Sequence, residues 1–136
     1  MKIKVCSIIM GAVLLMQTAY SFADLALQSE SSLFSEISAA YQSKFYPGAV
    51  SHAADFASKY PQSLLLPQVL AIEGESLYHL ARLNEAESAL KKSCALTAKN
   101  ETPVPVTSYW LGRTLFDLKK YDESCAAFYD ASSGAK

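Results

Sequence analysis

Histidine and cysteine side chains are the first candidates for chemistry in this chain, because they bind metals and act as bases or nucleophiles. The histidines are His52 and His79. Metal-binding and general-base histidines on helices typically occur as H-x-x-x-H or as H-x-x-E. Neither spacing surrounds these two residues, so the sequence predicts no metal site and no catalytic histidine.

Carboxylate pairs are a second source of reactive groups, since two neighbouring acids can divide the roles of general acid and general base. Glu85 with Glu87, and Asp122 with Glu123, are such neighbours. Both pairs stand where a helix is expected to begin, and the helix dipole stabilises negative charge there. The glycines are too far apart to form a phosphate-binding loop. We therefore predict no catalytic residue, no metal and no cofactor, and expect that the protein is not an enzyme.

The composition indicates one folded domain. The chain has 136 residues, of which 51% are hydrophobic and 18% are charged, and its formal net charge is -1. A chain this apolar can bury a core, whereas disordered chains are poor in hydrophobic residues. The balance of charges argues against nucleic-acid binding, which requires an excess of Lys and Arg.

The start of the chain has the three-part pattern of a secretory signal peptide. Lys2 and Lys4 form a basic segment, residues 8–15 are apolar, and small residues precede a plausible cleavage site. The apolar stretch is too short to cross a bilayer of about 30 Å comfortably. We expect removal of residues 1–23 and export of residues 24–136, periplasmic or secreted and without a membrane span. An uncleaved amphipathic anchor is the alternative.

Three related segments follow this leader. Alignment of Gly74 with Gly112 gives a period of 38 residues, and in both copies Leu follows the glycine by three residues and an aromatic residue follows it by four. A more diverged copy lies 37 residues earlier, with Ile37 in the glycine position and Tyr41 in the aromatic position. Each copy contains two stretches with apolar residues at i, i+3, i+4 and i+7, the spacing of an amphipathic helix.

These stretches predict an all-α fold made of three antiparallel helix pairs. Asn84 and Glu87 have the spacing of a capping box, which would begin the fourth helix. No stretch alternates convincingly with period two, so no β-sheet is expected. The predicted helices span residues 31–44, 47–59, 67–81, 84–97, 105–118 and 122–132.

Two cysteines follow the leader, Cys94 and Cys125, each on the second helix of a pair. Export would place them in an environment where disulfides form. Aligned by repeat, however, they are seven residues out of step. That offset is about 10 Å along a helix, beyond the ~7 Å between Cα atoms that a disulfide spans. Buried free thiols are the favoured prediction and a disulfide is the alternative.

The period and the residues at the repeated positions resemble the tetratricopeptide repeat. The best agreement with its consensus is Leu111-Gly112, Tyr121, Phe128 and Ala131. The copies are a few residues longer than the consensus, and the first lacks the glycine. The resemblance implies a right-handed superhelical stack over residues 24–136, with repeats at approximately 30–63, 67–100 and 104–136.

Two short phrases look like those of envelope tetratricopeptide proteins of Gram-negative bacteria, such as the Tol-Pal coordinator and the outer-membrane assembly lipoproteins. They are KYPQS at residues 59–63 and YWLG at residues 109–112. The resemblance implies a non-catalytic adaptor or scaffold of the bacterial cell envelope that binds a protein or peptide. The alternative is an N-terminal or subunit portion of a larger assembly, which self-associates as a homo-oligomer through an uncapped last repeat.

The resemblance also places the binding face on the first helix of each pair, at positions three before, one after, and four or five after the glycine. These positions are rich in aromatic residues and include an arginine, the residue types that dominate interface energetics. The aromatic residues at the fourth position have an alternative as core between paired helices. The candidate binding residues are Phe34, Tyr41, Tyr78, His79, Tyr109, Arg113 and Phe116.

Overall fold

The computed structural model describes residues 29–99 and 105–133. The chain divides into two units, residues 1–32 and 33–136, and the predicted signal peptide at residues 1–23 lies outside the described residues. All regular structure in the described residues is α-helical, as predicted. None of the described helices is both long and apolar enough to cross a membrane. The helices are α1 (29–42), α2 (Tyr46–Lys59), α3 (Leu66–His79), α4 (Leu83–Lys99), α5 (Pro105–Asp117) and α6 (Tyr121–Ser133).

The helices of the second unit pack in chain order as a stack of pairs. Helix α3 packs against both α2 and α4, and α5 packs against both α4 and α6. The described helix ends lie within two residues of the predicted ones. Helical periodicity was a sufficient guide because each helix has one apolar side, and the stack buries that side.

The two helices of each pair are joined by the same tight turn. One residue in each turn has a left-handed backbone: Lys44 (φ 61°), Ala81 (φ 59°) and Lys119 (φ 63°). The N–H of this residue donates to the carbonyl three residues earlier, and the next N–H donates to the carbonyl five residues earlier, all at 2.9 Å. This is the Schellman pattern that ends helices, and it recurs with the period of the sequence.

The prediction of a capping box at the start of α4 is wrong. Helix α4 begins at Leu83, so Asn84 is already helical and does not occupy the capping position. The Glu87 carboxylate accepts hydrogen bonds from Lys91 and Lys120 instead of reaching back to the start of the helix. The competing interaction is stronger because both partners are charged.

Inside the second and third pairs, the glycine faces a large residue sixteen positions later. A Cβ added to Gly74 would overlap the Leu90 side chain, coming 2.7 Å from its Cδ2 atom. A Cβ added to Gly112 would lie 2.8 Å from the Phe128 ring. The glycines therefore permit close approach of the paired helices, which offsets their low helix propensity of about 1 kcal/mol relative to Ala.

In the first pair the large and the small residue exchange positions. Ile37 occupies the glycine position and Ala53 occupies the opposite position, and both side chains are fully buried. Both belong to one buried cluster. A large residue thus meets a small one in every pair, which explains how the first copy lacks the glycine and still packs as a pair.

Three buried clusters connect the pairs to one another. One joins α1, α2 and α3, another joins α2, α3 and α4, and the last joins α4, α5 and α6. Because every cluster includes helices of two neighbouring pairs, no pair buries its apolar surface alone. Fully buried residues in these clusters are Ile37, Ala53, Phe56, Val69, Ala86, Leu90 and Leu115.

Cys94 and Cys125 are free thiols, but their burial differs from the expectation. Cys94 is half-buried on α4, and burial raises the pKa of its thiol. Cys125 is exposed on α6 rather than buried. Among α2–α6, helix α6 packs its backbone closely against α5 alone, and Cys125 lies on a side of α6 that these helices leave exposed.

Candidate protein-interaction surface

Tyrosines in the aromatic position connect each pair to the next. The Tyr41 hydroxyl donates a hydrogen bond to the Glu75 carboxylate at 2.5 Å. In the following junction, Arg113 donates to the Tyr78 hydroxyl at 3.0 Å. Glu75 and Arg113 occupy the same position, one residue after the glycine, in consecutive pairs. The same contact is made twice, with an acceptor in one junction and a donor in the other, because a tyrosine hydroxyl serves both roles.

The second of these hydroxyls has a further partner. Tyr78 donates to Asp117 Oδ2 at 2.7 Å while it accepts from Arg113. Burial and the bond to Asp117 raise the pKa of Tyr78, whereas Arg113 lowers it, and the net shift is upward. The phenol therefore keeps its proton at neutral pH and acts as a structural link between α3 and α5.

Glu75 is a buried acid at the junction of the first two pairs, with 8% of its surface exposed. Burial raises the pKa of its carboxyl, and the hydrogen bond from Tyr41 lowers it in part. Burial and the neighbouring carboxylate also raise the pKa of Tyr41. The Tyr41 phenol therefore stays a hydrogen-bond donor to Glu75, and the pair links α1 to α3.

Arg113 is exposed and lies among three aromatic side chains, of which Tyr109 is exposed and Tyr78 and Trp110 are half-buried. Its Nη1 atom donates to the Tyr109 hydroxyl at 3.2 Å. Its guanidinium carbon lies 5.5 Å from the centre of the Tyr78 ring and 5.9 Å from that of Trp110. Both distances are within the range of cation–π attraction. Three aromatic side chains thus orient the guanidinium while it stays open to solvent.

Ring contacts extend from this group across all three pairs, and we call the connected set the aromatic ladder. The His79 ring stacks on Tyr46 with centres 4.5 Å apart and an angle of 14°. His79 also meets Trp110 at 5.5 Å. Rigid aromatic side chains in mutual contact lose little entropy when a partner covers them. The ladder consists of Tyr41, Tyr46, Tyr78, His79, Tyr109, Trp110 and Phe128.

Five of the candidate residues lie on or beside the ladder. His79 and Arg113 are exposed, and Tyr109 is 42% exposed. Tyr41 and Tyr78 are half-buried because they bond to the next pair, so they are partly core and partly surface.

The remaining two candidates lie elsewhere. Phe34 packs against the buried cluster of α1, α2 and α3. Phe116 is 57% exposed and contacts Tyr121 at 5.6 Å between ring centres. The structure therefore brings together five of the seven predicted residues and places Phe34, which supports the core, and Phe116 apart from them.

Sequence reasoning missed Tyr46, Trp110 and Phe128, the last of which lies on the second helix of its pair. Tyr46 begins the second helix of its pair, whereas the prediction considered only first helices. Trp110 precedes the glycine by two residues, a position that the resemblance did not assign to the face. It is the single tryptophan of the chain, and tryptophan is enriched at interfaces, so its type was the available signal.

An open groove of about 450 Å³ lies beside the ladder, between the start of α5 and the end of α6. Its floor is apolar, since a phenylalanine and a tyrosine of the ladder form part of it. The lining residues are Pro105, Val106, Tyr109, Phe128, Ala131 and Ser132.

In residues 29–99 and 105–133, no three His, Cys, Asp or Glu side chains converge on a point where they could hold a metal ion. Comparison of the chain with protein-family models gives no match, and comparison with curated protein sequences gives none either. The functional proposal below therefore depends on the surface itself.

Proposed function

We propose that this protein is a non-catalytic adaptor that binds an extended or helical segment of another protein across the aromatic ladder. The observation that carries the proposal is the exposed Arg113 held by Tyr78, Tyr109 and Trp110. Arginine and aromatic residues that are fixed before binding are typical of the centre of protein interfaces. The tetratricopeptide resemblance agrees with this proposal.

The ladder supports peptide binding in particular because its rings form a continuous row. It crosses three helix pairs, and its members contact one another in sequence from Tyr41 to Phe128. A small ligand would need an enclosed cavity, whereas a peptide can lie along a row of side chains. Polar groups for peptide carbonyls are available in the Arg113 guanidinium, and Asp117 can accept from peptide N–H groups.

Site-directed photo-crosslinking tests the proposal. A photoreactive amino acid in place of Tyr109 should yield a discrete covalent adduct with a second protein in the producing cell. The matched control is the same substitution at Leu64, which is 85% exposed and lies in the connection before α3. Arg113→Ala should reduce the yield at position 109 without changing the helical circular dichroism spectrum. Equal adduct yields at both positions would count against the proposal.

We further propose that the protein acts in the cell envelope, on the strength of the leader pattern of residues 1–23. N-terminal sequencing of the protein from a cell fraction gives a direct test. A mature chain beginning at Asp24 in the periplasmic fraction is the expected result. Recovery of an intact leader with the membrane fraction would favour the uncleaved anchor instead.

A further inference from the structure

A cleft of about 350 Å³ lies at the junction of the first and second helix pairs, between α2, α3 and α4, and we call it the junction cleft. Its apolar wall includes Val50, Leu70, Leu77 and Ala89, and charged side chains stand beside that wall. None of its lining residues belongs to the aromatic ladder. Clefts that bind small molecules typically have volumes of about 300–1,000 Å³ and mostly apolar walls with a few polar groups. The junction cleft therefore suits a small ligand.

The equivalent place in the next junction is closed by two ion pairs. There Glu87 on α4 pairs with Lys120, and Lys91 on α4 pairs with Glu123, both at 2.8 Å. These pairs cross from the second helix of one pair to the second helix of the following pair and the turn before it. No space of the junction cleft's kind is needed for them, because the charged side chains themselves occupy it.

The first junction keeps one half of each ion pair and loses the other. The α2 residues at the positions of Glu87 and Lys91 are Val50 and Ala54, which carry no charge. The residues at the positions of their partners are Arg82 and Glu85, and these bond to each other instead, with Arg82 Nε donating to Glu85 Oε1 at 2.7 Å. The junction cleft is thus the space that ion pairs fill one repeat later.

Glu73 is a half-buried acid that lines the cleft and has no hydrogen bond or ion pair with any other described residue. Its position, one before the glycine, holds the buried Leu111 in the next pair. Burial raises the pKa of the Glu73 carboxyl, and the charge of Lys92 lowers it in part. A polar group that is removed from water without a partner costs free energy. A cationic group in the cleft would supply the missing partner.

Lys92 provides a positive charge on the α4 side of the same cleft. It is exposed, and within residues 29–99 and 105–133 it too has no hydrogen bond or ion pair. Because Arg82 and Glu85 already pair with each other, the open charges of the cleft are one carboxylate and one ammonium. A ligand with a single charge would be attracted by one of them and repelled by the other, whereas a ligand with both charges can match both.

We propose that the junction cleft binds a zwitterionic α-amino acid with an aliphatic side chain. The ammonium of the amino acid donates to Glu73, and its carboxylate accepts from Lys92. The aliphatic side chain lies on the apolar wall at Val50, Leu70 and Leu77. This small-molecule site goes beyond the adaptor function and does not depend on it.

Isothermal titration calorimetry of the full chain with L-leucine tests the proposal. Saturable heat with one site per chain is the expected result. Isopentylamine, which is leucine without its carboxylate, and 4-methylpentanoate, which is leucine without its ammonium, are the comparison ligands. Each should bind at least about tenfold more weakly than leucine, because one charge of the cleft stays unmatched.

Single substitutions assign the two charges. Glu73→Gln and Lys92→Gln should each weaken leucine binding by about tenfold or more. Asp55→Asn is the matched control, since Asp55 is an exposed acid on α2 that does not line the cleft, and it should leave binding unchanged. Circular dichroism melting of each variant shows whether it remains folded.

A double substitution closes the cleft in the way that the next junction does. Val50→Glu combined with Ala54→Lys supplies the missing partners of Arg82 and Glu85. Leucine binding should be lost, while the melting temperature stays the same or rises. Retention of leucine binding in this folded variant would place the ligand elsewhere and overturn the proposal.

Three further results would overturn it. The first is the absence of saturable heat with leucine. The second is equal affinity for isopentylamine and leucine, which would show that the cleft takes a cation alone. The third is a loss of stability in both Glu73→Gln and Lys92→Gln without any leucine binding to the unsubstituted chain, which would show that the two side chains pair with each other. None of these results bears on the ladder, whose test is the crosslinking at Tyr109.

Discussion

The close contact between Gly74 and Leu90 predicts that the effect of Gly74→Ala on stability depends on the side chain at position 90. The substitution should destabilise the wild-type protein and stabilise a chain that carries Leu90→Ala. Gly74→Ala should gain about 1 kcal/mol from helix propensity. Its Cβ, however, would come 2.7 Å from Leu90 Cδ2, which is so close that the Leu90 side chain or the helix must shift. Overpacking in a core costs about 1–3 kcal/mol, so the net result is a loss of stability of up to about 2 kcal/mol.

The same substitution should stabilise a chain that already carries Leu90→Ala. Leu90 is fully buried, and its truncation should cost about 2–5 kcal/mol through lost burial and a cavity. In that background the new Cβ has room, so the gain of about 1 kcal/mol in propensity appears in full. The coupling between the two sites should therefore be about 1–3 kcal/mol.

Urea denaturation followed by circular dichroism measures all four members of this cycle. Val69→Ala, at another fully buried position on α3, replaces Leu90→Ala in the control cycle and should be additive with Gly74→Ala within about 0.5 kcal/mol. If Gly74→Ala is equally destabilising in both backgrounds, the glycine is required for its backbone and the reasoning from side-chain overlap is wrong.

Three other predictions concern the turns and the buried acids. Ala81→Gly should stabilise the protein by about 0.5–1 kcal/mol, because φ is 59° there and glycine adopts that conformation without strain. In the control, Ala86→Gly inside α4 should destabilise the protein by about 1 kcal/mol or more, as measured by urea denaturation. Glu87→Gln should destabilise at pH 7 by about 1 kcal/mol. The hydrogen bonds from Lys120 and Lys91 lower the pKa of Glu87, so its contribution is present above the unfolded pKa and lost as the pH falls through the folded pKa; an effect of equal size at pH 3 would contradict this. Glu75→Gln should leave the stability unchanged or raise it at pH 7, and any gain in stability should be absent below pH 4. The reason is that burial raises the pKa of Glu75, so the wild-type chain loses stability as the pH rises through that pKa. Urea denaturation midpoints at the two pH values test this prediction.

Much of the fold could be predicted because its information is local. Apolar spacing within each helix, and the recurrence of that spacing after 37 or 38 residues, sufficed to locate six helices and their pairing. The Ile37–Ala53 exchange was harder to predict, since it appears only when two positions sixteen residues apart are compared for their combined size.

The candidate surface was less predictable because it depends on contacts between pairs. Periodicity shows that Glu75 lies on the first helix of its pair, but its burial follows from Tyr41, 34 residues away. The burial of Cys125 was mispredicted for the converse reason. The equivalent positions hold half-buried Val50 and buried Glu87, whereas Cys125 lies on the exposed side of α6. Position in a repeat predicts orientation, whereas burial requires knowledge of the neighbouring element.

The aromatic position, four residues after the repeat glycine, contacts chemically different neighbours in different pairs. In the first two pairs it holds tyrosine, whose hydroxyl donates to Glu75 in one junction and accepts from Arg113 in the other. This dual capacity lets the charge at the facing position vary without leaving a polar group unpaired. Phe116 has no such hydroxyl, so a helix that covers it needs no polar partner at that point, and a buried charge there would be left without one at a cost of several kcal/mol.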